Sequence, residues 1–128
     1  MTFNFDDFVA ESHHFGHREH LHATWLAVSA HGTAAAVDLI SAGIRRTARY
    51  AGAPQKYHAT MSRAWVELVA FHTAPDFATL LADNPALLDK RLLLRFYSPA
   101  VLSSPAARAG WVEPDLHPLP TRQGRLGK

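Results

Sequence analysis

No cysteine occurs among the 128 residues, which removes disulfides and thiolate metal ligands from consideration. No apolar run approaches the roughly 20 residues that a bilayer span requires, which argues against a membrane partner. The opening residues, Met1 to Asp7, are neither basic nor apolar enough for a signal peptide. With the missing cysteines this leads to the expectation of a cytoplasmic protein. No stretch alternates apolar and polar residues between turn signals, so a sheet is not expected. Nucleophile elbow, P-loop, dinucleotide fingerprint and H-E-x-x-H are all absent. So are the inward Glu-x-x-His pairs of di-iron bundles, which argues against an oxygen-bridged iron centre.

What is present is enough for one core. Apolar residues make up 48% and charged residues 19% of the chain, so a domain of this length needs no disulfide or zinc staple. The net charge is +2, but residues 121–128 carry three positive charges and no negative one, leaving residues 1–120 at −1. A nucleic-acid binder carries its basic stripe on the folded body, so this distribution argues against that partner class. The division expected is a single helical domain over 1–120 and a basic flexible tail over 121–128.

The punctuation reads as helices throughout. Gly16 before His17-Arg18-Glu19 marks a helix start, with Glu19 placed to neutralise unpaired backbone N–H groups, and His31-Gly32 marks its end. Thr33 opens a second helix to about Ala51, and Pro54 opens a third to about Thr73. A short segment follows Asp76. Asn84-Pro85 begins a further helix through Tyr97, apolar nearly all round and therefore expected to be central. Ser98-Pro99 and Ser104-Pro105 read as caps. From Trp111 onward, three prolines in ten residues predict an extended strap anchored by Trp111 and Leu116. The fold class expected is all-α: a compact up-down helical bundle with a proline-rich C-terminal strap.

Nine histidines stand out, five of them within residues 13–22: His13, His14, His17, His20 and His22. On the first helix, His17, Leu21, Thr24, Trp25 and Val28 share an inward face, His20 lies at its edge, and His22 projects to the polar side. On the third helix, Tyr57, His58, Met61, Trp65, Leu68, Val69 and His72 face inward. With short connections the starts of the two helices come to the same end, placing His17, His20 and His58 at one level with His13 or His14 in reach. His72 lies about 21 Å further along and serves as an internal control. Neutral imidazoles at i and i+3, joined by a third from a facing helix, give a three-coordinate metal site with an open position. A lone inward histidine is more often a satisfied core residue, and the convergence of several carries the metal reading.

Arg91 and Arg95, i and i+4 on the apolar segment, need carboxylates or a bound anion, and Glu113 and Asp115 are the natural partners. The segments Phe15-Gly16-His17-Arg18-Glu19-His20-Leu21, Tyr57-His58-Ala59-Thr60 and Leu92-Leu93-Leu94-Arg95-Phe96-Tyr97-Ser98 resemble the marks of a family of small, His-rich, helical bacterial proteins. The resemblance covers about residues 15–120 and implies no activity.

The expectation is a metal-dependent small-molecule enzyme with one transition metal ion, copper or zinc favoured over iron or nickel. His17, His20, His58, His13 and His14 are the candidate ligands, Tyr57 a proton donor, and Met61, Trp65, Arg91 and Arg95 the substrate walls. Two alternatives stay open. One is a metal-free enzyme or binding protein using a buried His base and the Arg pair, and the other a non-catalytic metal or haem module. Association into a homo-oligomer is also left open.

Overall fold

The computed structural model describes residues 2–12, 14–72 and 74–120. Seven α-helices carry the fold: α1 (Phe5–Glu11), α2 (His17–His31), α3 (Thr33–Tyr50), α4 (Ala59–Phe71), α5 (Phe77–Asp83), α6 (Pro99–Leu102) and α7 (Pro105–Ala109). Among the described residues there is no strand, and no helix is long and apolar enough to cross a membrane.

α2, α3 and α4 pack on one another, and α2 and α4 each serve two cores. One core gathers Leu21, Trp65, Leu68, Leu80, Leu87, Leu93 and Tyr97. The other is built from Phe5, Ala23, Ala27, Ala36, Ile40 and Val66, where alanines let the helix axes approach. Each fully buried leucine or phenylalanine contributes about 1.5–3 kcal/mol relative to exposure, so the bundle rests on this double-sided burial. Gly43 of α3 lies flat against the Phe5 ring, and any side chain there would collide with it.

The helix starts follow from side-chain caps. Asn4, Asp76, Ser98 and Ser104 each accept a backbone N–H from the first turn of α1, α5, α6 and α7. Thr33 does not cap α3; Gly32, at φ 86°, makes the corner between α2 and α3. The third helix also begins later than its proline suggested. Pro54–Lys56 forms a separate 3-10 turn, Tyr57 and His58 are extended, and α4 starts at Ala59 and ends at Phe71.

The segment expected as a central α-helix through Tyr97 is instead two 3-10 turns, Pro85–Leu88 and Lys90–Arg95. Asp89 breaks the run: its carboxylate accepts the Arg91 N–H, 2.9 Å away, and restarts the chain. Leu87, Leu92, Leu93 and Tyr97 are buried, whereas Leu88 and Leu94 are exposed, so the segment lies along the bundle's flank.

Residues 111–120 form the expected strap. The buried Thr60 hydroxyl donates to Gly110 O at 2.7 Å and accepts the Val112 N–H at 3.1 Å. The buried Tyr97 hydroxyl donates to Val112 O at 2.7 Å. Trp111 is an anchor, packed on the core, whereas Leu116 is 49% exposed and anchors nothing; Leu119 takes that part. The tail over 121–128 lies outside the described residues.

Candidate functional site

The histidine-rich segment folds around the first turn of α2. Gly16 donates its N–H to Glu19 Oε1 at 2.9 Å, as the spacing suggested, and this bond is the main cause holding the Glu19 carboxyl below its ordinary range. A Cβ at Gly16 would sit 2.7 Å from His14 Nε2, so the exposed His14 ring lies over Gly16 and would have to shift for any larger residue there. His13 lies outside the described residues.

His17, half-buried, donates from Nε2 to the carbonyl of Leu87 at 2.8 Å, since that oxygen can only accept. Its ring edge meets Trp65 with centroids 4.6 Å apart. The proton on Nε2 leaves the lone pair on Nδ1, which has no hydrogen-bond partner among the described residues. His20, one turn on, has its ring centroid 6.4 Å from that of His17. The residue as a whole is half-buried, but its Nε2 is sealed from solvent with no hydrogen-bond partner among the described residues. Burial above all, and then repulsion from the neighbouring His17 ring whenever that ring is protonated, push its pKa down to about 4, so the His20 ring is neutral.

His58 behaves differently. It is extended at φ −136° and caps α4, with Nδ1 accepting the Met61 N–H at 3.1 Å. Its Nε2 donates to Leu102 O at 2.7 Å. Both nitrogens of this buried ring are occupied by backbone, and no lone pair remains for a metal. Nor does His58 share a level with His17, which meets Trp65 seven residues later, about 10 Å along the axis. The shift follows from the late start of α4. Among the described residues, no three His, Asp or Glu side chains come together in a way that could hold a metal.

The other predicted residues are dispersed. Tyr57 sits beneath Arg45, with the guanidinium 4.8 Å from its ring and 3.4 Å from its hydroxyl, so its partner is a cation rather than a histidine. Met61 and Trp65 both pack on the first core, and Trp65 meets the His17 ring. Arg91 and Arg95 are exposed rather than central. Arg91 pairs with Asp89 at 3.5 Å, whereas Glu113 accepts from Trp111 Nε1 and Asp115 from the Ser98 N–H. The expected strap pins are therefore absent, because the segment carrying both arginines turns outward.

His22 corrects a further expectation. It is not solvent-facing: its ring stacks on Phe77 at 4.4 Å and 7°, and Phe8 meets it edge-on at 5.3 Å. Desolvation lowers its pKa. α1 and α5 fold over the polar side of α2, and α1 carried a signal of its own: Asn4 as cap, then Phe5, Phe8 and Val9 at helical spacing. His31 accepts the Phe3 N–H at 3.2 Å, half-buried His72 packs against Phe71, and exposed His117 donates its backbone N–H to Phe96 O.

A second feature escaped the sequence because its parts lie almost fifty residues apart. Arg63 of α4 lies over the Trp111 ring, 4.2 Å from its centroid, besides its i, i+4 bond to Glu67 at 3.4 Å. Nothing in linear spacing announces that meeting. Compared with known proteins, the chain matches no family model, no curated protein and no solved structure.

Proposed function

We propose that this chain is a metal-dependent enzyme acting on a small molecule, its copper or zinc ion held by His17 Nδ1 and His20 Nε2. Water or the bound molecule completes the ion's coordination. One observation carries the reading: a sealed, neutral imidazole nitrogen without a partner, one turn from a second imidazole whose lone pair is also free. Buried polar atoms are almost always satisfied, and an exception needs an ion, a water or a function to account for it. His17 also has the outer contact typical of a ligating histidine, its other nitrogen donating to a carbonyl that fixes ring and tautomer. Two imidazoles sharing a tetrahedral ion at about 2.0 Å have centroids about 5 Å apart, so the 6.4 Å pair closes by about an ångström of ring movement.

The donor set is all nitrogen, which suits copper or zinc. Two imidazoles leave positions open, where the ion acts as Lewis acid or redox centre on a bound molecule. Trp65, edge-on to His17, walls that side. His58, Tyr57, Arg91 and Arg95 have no part in this centre. The metal-free alternative is less well supported, because a ring with a pKa of about 4 is a poor general base near neutral pH.

Elemental analysis of tag-free protein, grown with copper, zinc, iron and nickel supplied, tests the proposal. About one equivalent is expected in the wild type, lost in His17→Gln and His20→Gln while helical circular dichroism persists, and retained in His58→Gln and His117→Gln. Less than about a tenth of an equivalent, or equal loss in all four variants, overturns it.

A further inference from the structure

Between α4 and the strap lies a crevice of about 400 Å³, within the size range of small-molecule sites. Its floor is the Trp111 indole. Arg63 lies over the face of that ring, and Glu113 accepts the indole N–H at its edge at 2.8 Å. Among the described residues the two opposite charges do not pair with each other: Arg63 pairs with Glu67, and Glu113 takes the indole N–H. Arg63 makes one weak bond, from Nε to Glu67 at 3.4 Å, and its terminal nitrogens have no partner among the described residues. Glu113 uses only Oε2, leaving its other oxygen free. Leu116 and Leu119 of the strap form the apolar side.

We infer that this crevice binds a zwitterionic α-amino acid with an aliphatic side chain, a site independent of the metal reading. The carboxylate takes the forked terminal N–H groups of Arg63, the ammonium takes Glu113, and the side chain lies against Leu116 and Leu119. Ligands of a single charge sign fit less well. An anion gains Arg63 but meets Glu67, Glu113 and Asp115, and a cation gains these carboxylates but meets Arg63. A molecule carrying both signs a few bonds apart uses both kinds of charge at once. Burial first and then Glu113 hold the buried Tyr97 phenol above its ordinary range, while Arg63 pulls the other way and Asp115 adds to the rise.

The indole N–H of Trp111 gives a direct readout by proton–nitrogen NMR, assigned against Trp25 and Trp65 with Trp111→Phe. Titrating the wild type with L-leucine is expected to shift this resonance saturably, with a dissociation constant of about a millimolar for so small a ligand. Leucine amide, which lacks the carboxylate, and 4-methylpentanoate, which lacks the ammonium, should each bind at least about fivefold more weakly. Arg63→Gln and Glu113→Gln should weaken L-leucine by a similar factor with helical signal unchanged, since both side chains are solvent-accessible. No saturable shift up to about 50 mM L-leucine overturns the inference. Equal binding of all three compounds, or full affinity in both variants, overturns it as well.

Discussion

The starts of α2 and α4 both carry histidines, and the two ends treat them in opposite ways. At α4, His58 is a structural part, one nitrogen capping its own helix and the other fastened to Leu102 O. At α2, His17 is oriented by a carbonyl but keeps a lone pair, and His20 holds a sealed nitrogen that touches no partner. Residue type is alike at both ends. What differs is the helix position, a cap against the first turns of the helix, and the backbone placed opposite each ring.

The largest effect that would sharpen this contrast comes from His58→Leu. It removes a cap and leaves the Leu102 carbonyl unbonded, so the variant should lose about 2–3 kcal/mol of stability. In thermal unfolding that is a drop of about 10 °C, with metal content unchanged. A loss below about 0.5 kcal/mol would break the comparison, because His58 would then be no more structural than His20.

His20→Leu should act in the other direction on metal-free protein. Replacing an unpartnered buried imidazole with an apolar side chain stabilises by about 1 kcal/mol while metal uptake disappears. Denaturant unfolding of stripped protein, with and without added zinc, reads both effects. Destabilisation of the stripped protein by 2 kcal/mol or so would mean that His20 has a partner after all.

The smallest effect concerns pH and His72. Burial lowers its pKa in the fold from the usual 6.5, so the unfolded chain binds its proton first. Its contribution to stability is fully present above pH 6.5 and is lost as pH falls through the lower folded value. His72→Gln should therefore flatten the acid side of the stability curve and leave the neutral plateau nearly in place. An unchanged slope between pH 7 and 5 would show that His72 is solvated in the fold.

How legible these regions were in the sequence depended on how local their determinants are. α2 and α3 were readable because Gly16, Glu19, Gly32 and Gly52 lie beside the ends they define. Ser98 and Ser104 were readable as caps for the same reason. The leucine-rich segment after Pro85 was misread because its composition suits a helix, while one side-chain bond from Asp89 interrupts it. The histidine levels were misread because a cap residue was placed on the helical wheel: His58 is extended, and α4 starts after it. The inward direction of His17 and the edge position of His20 followed from spacing alone. The burial of His22 depended on α1, and the meeting of Arg63 with Trp111 depended on the whole tertiary fold.

The Thr60 hydroxyl joins the strap to α4 from both sides, donating to Gly110 O and accepting from Val112 N. Both contacts close a loop of about fifty residues, the kind of contact that gives no return until the rest of the chain is in place. The strap is thus a late-docking, separately releasable unit, and the Val112 amide should exchange its hydrogen through local opening well before global unfolding. That opening also dismantles one wall of the crevice beneath Arg63. The exchange rate of a single amide thereby becomes a clock for how often that crevice is open.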